Sequence, residues 1–438
     1  MCSRRAFLAA TVLSALPLRA QKPKPNIIFI MADDLGYGDL GCYGQKRLDS
    51  PHIDRLATEG MRFTDAYAGA TGCAPSRSCL MTGLHTGHTR IRSNGRNRLL
   101  PQDTTVAQVL KRAGYRTGAF GKWSLGEAGS GAPPVEKGFD EFFGYINQGP
   151  AHKFYPENLW HNDAQVFLSA NRANQRGAYS HDLIFQHALD FVEKSAGDPF
   201  FLYLPITVPH TNNELGRVTG DGMEVPDYGE YATEQWPNPE KGFAAMLRKM
   251  DDGVGRLMRL LKEKGVDQDT LVIFTSDNGP HREGGHDPEF FGSQGGLRDI
   301  KRDFYEGGIR VPAIARWPGK IAGGVTSDQP WAFWDVFPTS CELAGVTIPK
   351  GLDGVSIVPT LMSREQEPGR LYWEIQMKAN FMQAARLGQW KGVRCARDKP
   401  IEVYDLEQDR AETNNLAGEK QELVRRFEAI FREWRTDP

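Results

Sequence analysis

Four apolar runs of strand length constrain this chain more than any other feature: "NIIFIM" from Asn26, "GAF" running into "GKW" from Gly118, "FFLYLPITV" from Phe200 and "TLVIFTS" from Thr270. A strand that is apolar without alternation has to be covered on both faces. The covers are at hand in "DTTVAQVLKRAG" from Asp103 and "FAAMLRKMDDGVGRLMRLLKEKG" from Phe243, whose apolar residues repeat at three and four. The expected fold is therefore α/β, with a large mixed, mostly parallel sheet and helices on both faces. "RVPAIARWPG" from Arg310 reads as another central strand.

The texture changes after "WDVFPTSCELAGV", a helix ending near Gly345. From about Pro349 to Arg370 the chain is rich in Gly, Pro and polar residues, which marks a boundary. "LYWEIQM", "FMQAARLG", "QWKGVRCA" and "IEVYDL" then read as a small antiparallel sheet, and "EKQELVRRFEAIFREW" as a closing helix. With 438 residues the chain can hold a catalytic domain over 22–348 and a C-terminal subdomain over 349–438. There is no internal repeat.

The first 21 residues carry Arg4 and Arg5, an apolar stretch from Ala6 to Leu18, and Ala20 as a cleavage residue. That is the layout of an export signal of the twin-arginine kind, removed from the mature protein. No other run is long and apolar enough to span a membrane. The mature chain is thus expected outside the cytoplasm, periplasmic or extracellular. The 53 basic and 55 acidic residues leave a net charge of -2, so no global field draws the protein to nucleic acid or anionic lipid. Of six cysteines, Cys2 leaves with the signal, and the spacings of the others match no zinc pattern.

In an open α/β sheet, ligands bind beyond the carboxyl ends of the strands. "NIIFIMADDLG" ends in Asp33 and Asp34, and "TLVIFTSDNG" ends in Asp277 and Asn278. Either pair alone is an ordinary cap or turn; together they are an oxygen-only set suited to a hard cation, Ca²⁺ or Mg²⁺. The run from Phe200 ends in His210, and "GKW" offers Lys122. With Arg77 and Lys301 added, a near-neutral chain gains a locally electropositive pocket of the kind that holds an oxyanion.

"CAPSR" from Cys73, followed by "MTG", resembles the signature of type I sulfatases. "ADDLG", "GKWSLG", "TVPH", "SDNG" and "YEGGIRVP" follow in the order of that family, and "LGQWKGV" and "VYDLEQDRAETNNLA" are similar to its second domain. The resemblance implies that a maturation enzyme oxidises Cys73 to formylglycine before folding is complete. One hydroxyl of the hydrated aldehyde would attack sulfur, and the other would later expel sulfate. By the same resemblance Asp33, Asp34, Asp277 and Asn278, with residue 73, hold the cation, Ca²⁺ ahead of Mg²⁺. Lys122 and Lys301 would neutralise the sulfate oxygens, Arg77 would support the attacking oxygen, and His210 would donate a proton to the leaving group.

Two positions depart from the family. Asp299-Ile300-Lys301 stands where Gly-Gly-Lys is common, and Ser124 stands where G-K-W-H-L-G has a histidine that serves as base when sulfate leaves. Serine is a poor base, so that step is expected to be slow or to borrow another group. The loops "GLHTGHTRIRSNGRN", with His85, His88, Arg90, Arg92 and Arg96, and "GPHREGGHDPEFFGSQG", with His281, Arg282 and His286, read equally as substrate contacts and as structural surface. The pattern is similar to sulfatases of sulfated carbohydrates. A formylglycine-dependent phosphonate or phosphodiester hydrolase, or a glycan-binding protein with Cys73 left as a thiol, are the alternatives.

Overall fold

The computed structural model describes residues 24–95, 98–377 and 380–436. The expected export signal and Arg96 lie outside the described residues. Ten strands form the main sheet, in the order Val325–Ser327, Met61–Phe63, Ala313–Arg316, Thr270–Ser276, Asn26–Ala32, Phe200–Pro205, Arg116–Lys122, Glu141–Tyr145, Asn158–His161, Ala164–Phe167. The five strands from Thr270–Ser276 to Glu141–Tyr145 run parallel. The strand expected after Arg310 is Ala313–Arg316; it is internal to the sheet but antiparallel to both neighbours.

Continuous apolar strands are explained by where successive side chains go. Ile28 and Ile30 join Leu202, Leu204, Val272 and Phe274 in one core, together with Phe243, Met246 and Met250 of the helix Asn238–Glu263. Ile27, Phe29 and Met31 point the other way and join Phe201, Leu271 and Ile273, under the helices Val106–Arg112 and Val336–Ala344. Each strand therefore buries both of its faces. Truncating one such side chain, Phe29→Ala, would cost about 3–5 kcal/mol.

A second sheet of four antiparallel strands, Leu371–Met377, Asn380–Leu387, Trp390–Arg394 and Glu402–Asp405, follows in chain order. Phe427, Ile430 and Phe431 of the helix Gln421–Glu433 cover it. Trp373 packs against Trp334 at 5.5 Å, and Lys391 and Arg386 reach the buried Glu306 and Asp65 of the large sheet's surroundings at 2.8 and 2.6 Å. The stretch rich in Gly and Pro is not a loose tether. It carries the short helix Val358–Leu361, and Asp335 accepts the backbone N–H of Val355 at 2.8 Å. No helix among the described residues is long and apolar enough to cross a membrane.

Candidate active site

Ala32 stands beside Ser276 in the parallel register, so Asp33 and Asp277 leave their strands at one level. Backbone pairing continues past the strand ends, with the Asp277 N–H donating to the Ala32 carbonyl at 3.0 Å. Asp34 then takes φ +70°, a left-handed conformation that aspartate tolerates better than most residues. Its N–H donates to Asp277 Oδ1 at 3.2 Å, and Asn278 Nδ2 donates to Asp34 Oδ1 at 2.7 Å. Four side chains from two strands thereby meet in a fully buried cluster.

Cations close on this cluster from three other elements. Gly121, at φ +131°, lies where a Cβ would stand 2.0 Å from the Pro205 carbonyl oxygen, so glycine lets the two strands approach just before Lys122. Lys122 Nζ donates to Asp33 Oδ2 at 2.6 Å. Cys73 opens the buried helix Cys73–Thr82, with its Sγ 3.3 Å from Asp33 Oδ1. One turn later, Arg77 Nη2 donates to Asp277 Oδ2 at 2.8 Å and lies 3.3 Å from Asp33. Lys301 Nζ donates to Asp34 Oδ2 at 2.6 Å and meets His210 Nε2 at 3.4 Å.

The electrostatics follow from this crowding. Burial, then Asp277 and Asp33, push the Cys73 thiol far up, so it stays protonated and is a poor nucleophile as a thiol. Burial and the neighbouring Asp33 push Asp277 up to about 7. Burial would raise Asp33, but Lys122, Arg77 and Lys301 outweigh it and hold the carboxyl well below the usual range. His210 is driven down by burial and by Lys301. Its Nδ1 lies 2.6 Å from the Thr211 carbonyl, which can only accept, so the proton sits on Nδ1 and Nε2 is an acceptor. The sequence reading makes His210 a proton donor; in this state Lys301 is the protonated member of the pair.

The residues can hold a metal ion. Asp33, Asp34, Cys73 and His210 offer ligand atoms within 4.8 Å of one another, and the Oδ1 of Asn278 is buried with no hydrogen-bond partner. Lys122, Arg77 and Lys301 balance Asp33, Asp34 and Asp277. A divalent cation added to that balance would leave the excess positive charge that an oxyanion needs.

The residues expected to contact substrate divide. His88 Nδ1 lies 2.8 Å from Asp353, Arg90 donates to Asp103 at 3.0 Å, and Arg92 donates to Glu374 at 2.7 Å and to the Thr436 carbonyl at 2.8 Å. Each of the three is paired away from the carboxylate cluster: His88 with the stretch before the second sheet, Arg92 with that sheet, and Arg90 with the residue two before the cap of the helix Val106–Arg112. His286 stacks on Phe243 at 4.0 Å and pairs with Glu240 at 2.7 Å, bracing the long helix. Arg282 pairs with Glu289. His281 does adjoin the centre, its ring 5.9 Å from that of His210 and its ligand atom within 4.8 Å of those of Asp34 and Glu283.

Ser124 takes φ +62°, and its buried Oγ has no hydrogen-bond partner. All five described cysteines are free. Two residues escape the sequence reading. His152 stacks on His210 with ring centroids 4.8 Å apart and meets Glu214 at 3.4 Å. Glu283 lies 3.8 Å from Lys301. Neither follows an apolar run, so strand periodicity does not point to them.

Buried carboxylates, a thiol at a helix start and convergent cations at the carboxyl edge of a parallel sheet form a site of the class that handles oxyanion esters. Comparison with known proteins narrows this. The Sulfatase family matches residues 25–346, and the family described as N-sulphoglucosamine sulphohydrolase, C-terminal, matches 295–435. The N-acetylgalactosamine-6-sulfatase of Rattus norvegicus is 33% identical over 417 residues, covering 88% of this chain and 74% of that protein. Arylsulfatase A of Homo sapiens is 33% identical, covering 90% and 83%. The crystal structure of Ps i-CgsB in complex with k-i-k-neocarrahexaose superposes with a TM-score of 0.82 at 29% identity, covering 94% and 92%. The chain belongs to the sulfatase family, and it is a sulfuric ester hydrolase.

Proposed function

We propose that this sulfatase is exported and cleaves sulfate monoesters of a sulfated carbohydrate, using a formylglycine made from Cys73 and a calcium ion bound beside it. The observation that carries this reading is the enclosure of the Cys73 Sγ by Asp33, with Lys122, Arg77 and Lys301 all bonded to the same carboxylate cluster. An N-acetylgalactosamine-6-sulfatase among its relatives and a similar structure in complex with a neocarrahexaose support a sugar sulfate.

Asp33, Asp34, Asp277 and Asn278, with residue 73, would hold the cation, whose chemistry is to polarise sulfate oxygens and to favour a negative oxygen at residue 73. Formylglycine supplies a hydrated aldehyde, with one hydroxyl for attack on sulfur and a second that frees sulfate as the aldehyde re-forms. The chain's own groups do the rest. Lys122 and Lys301 neutralise the sulfate oxygens, and Arg77 ties the helix of Cys73 to Asp277 and to the Lys122 carbonyl. With His210 Nδ1–H held by Thr211, the Lys301–His210 pair supplies the proton for the leaving oxygen. Ser124 offers a hydroxyl in place of the family's histidine.

The domain division at 348/349, the removal of residues 1–21, and the action of a maturation enzyme in the cytoplasm before a twin-arginine export step belong to the same proposal. Its test is mass spectrometry of the peptide spanning Cys73, made in a host with the maturation enzyme, alongside sulfate release from sulfated saccharides and turnover of matched phosphate esters. Formylglycine at 73 with sulfate ester preferred in kcat/KM is expected. An unmodified Cys73 would favour a glycan-binding protein, and a preference for phosphate or phosphonate would favour the phosphonate hydrolase.

A further inference from the structure

A cleft of about 1030 Å³ opens beside His152, between the loop after the strand Glu141–Tyr145 and the segment after His210. His152 links it to the centre. Glu214, on the cleft wall, meets His152 at 3.4 Å, and His152 stacks on His210 at 4.8 Å. His210 is the side chain assigned above to the leaving oxygen, so the cleft lies where the rest of a sugar leaving group would extend.

The cleft's charges are largely spoken for. Glu214 engages His152; Glu224 accepts from Asn212 at 2.7 Å and lies 3.9 Å from Arg176; Glu157 accepts the Ala173 N–H at 3.2 Å. Arg176 is also stacked over Tyr155 at 4.5 Å. Of the charged lining groups, Lys153 and Glu157, of opposite sign, have no ion-pair partner among the described residues. Most of the remaining polar lining is amide: among the described residues the side chains of Asn147, Asn158, Gln165 and Asn174 have no hydrogen-bond partner, and the half-buried indole of Trp160 stands with them.

Side-chain amides donate and accept at once, as a sugar hydroxyl does, and an indole offers a flat apolar face to a sugar ring. Three carboxylates against two cations give no attraction to a further anion. The volume reaches the top of the range of about 300–1,000 Å³ typical of small-molecule sites, enough for more than one ring. We propose that this cleft binds uncharged sugar residues joined to the sulfated one, so that the substrate is an oligosaccharide whose neighbouring units carry hydroxyls rather than carboxylates or sulfates. The inference rests on the sugar-sulfate reading above.

The test is calorimetric titration of the whole protein with two uncharged hexasaccharides, desulfated neocarrahexaose and laminarihexaose, and with unsulfated chondroitin hexasaccharide, which carries carboxylates. At least one uncharged probe is expected to bind tenfold or more tighter than the chondroitin probe. Trp160→Ala and Asn147→Ala, the second removing only an amide, are each expected to weaken that binding about tenfold. Equal or tighter binding of the chondroitin probe, no binding of either uncharged probe, or binding unaltered in both variants would overturn the proposal. Because no probe carries sulfate, the outcome is independent of turnover. Failure of the sulfatase reading appears separately, as a formylglycine protein that releases sulfate from no ester.

Discussion

The Nζ of Lys301 stands 2.6 Å from Oδ2 of Asp34 and 3.4 Å from Nε2 of His210, so one ammonium joins the proposed cation site to the histidine proposed to face the leaving oxygen. A group so placed serves the oxyanion and competes with the cation for Asp34. In Lys301→Met, kcat/KM for sulfate esters is expected to fall by about 10²–10³, the usual loss of one oxyanion-stabilising donor. Calcium should bind at least as tightly as before, because a positive neighbour has gone. Steady-state kinetics and a calcium titration check the two halves; loss of calcium binding in the variant would mean that Lys301 builds the cation site instead.

Removal of metal should cost the folded state the binding energy of an ion held by Asp33, Asp34, Asp277 and Asn278. Chelator treatment is expected to abolish turnover and lower Tm, and Ca²⁺ or Mg²⁺ to restore both, as an all-oxygen donor set requires. At a concentration of 100 times Kd the ion would add about 2.7 kcal/mol of stability. Restoration by Zn²⁺ alone would contradict the assignment of a hard site.

Asp39 gives a pH dependence away from the chemistry. Burial raises it from 3.8 to about 6; its Oδ2 accepts the Gly36 N–H at 2.7 Å, and its Oδ1 is buried without a partner. Between pH 3.8 and about 6 the folded chain keeps a proton that the unfolded chain has released, so stability falls as pH rises through that window. The loss is on the order of 1–3 kcal/mol and is complete above it. Asp39→Asn removes the titration. Its melting temperature should gain on the wild type between pH 4.5 and pH 7.5, and a variant less stable by the same margin at both would refute the account.

Much of this centre was legible because periodicity says where a strand ends. Asp33, Asp34, Lys122, His210, Asp277 and Asn278 all follow apolar runs, and parallel strands in register bring their ends to one edge. What periodicity does not carry is the partner of a side chain on a loop. Arg92 looks like a substrate contact until Glu374, 282 residues away, is folded against it. His152 has no local pattern to mark it; only the folded chain brings the loop after Glu141–Tyr145 to the segment after Phe200–Pro205 and stacks it on His210. The antiparallel sense of Ala313–Arg316 was hidden for a related reason, since an internal strand is apolar whichever way it runs.

Ser124 is where the chain leaves its family's pattern, and the local backbone makes the reverse substitution feasible. Its φ of +62° lies in the left-handed region, in which histidine is several-fold enriched among non-glycine residues. Its N–H is held by the Ile146 carbonyl at 3.0 Å whatever the side chain. The Oγ is buried and bonded to nothing, so replacing it breaks no hydrogen bond. A positioned imidazole used as a general base is worth about 10²–10⁴, and serine supplies little of this. If proton removal at residue 73 limits turnover, Ser124→His should raise kcat several-fold at saturating substrate while leaving KM within about twofold. A steeper dependence of kcat on pH near neutrality should accompany the gain, as the new ring titrates. An unchanged or lower kcat in a variant that folds and carries formylglycine would mean that another group already serves as base, and that the serine does not limit the enzyme.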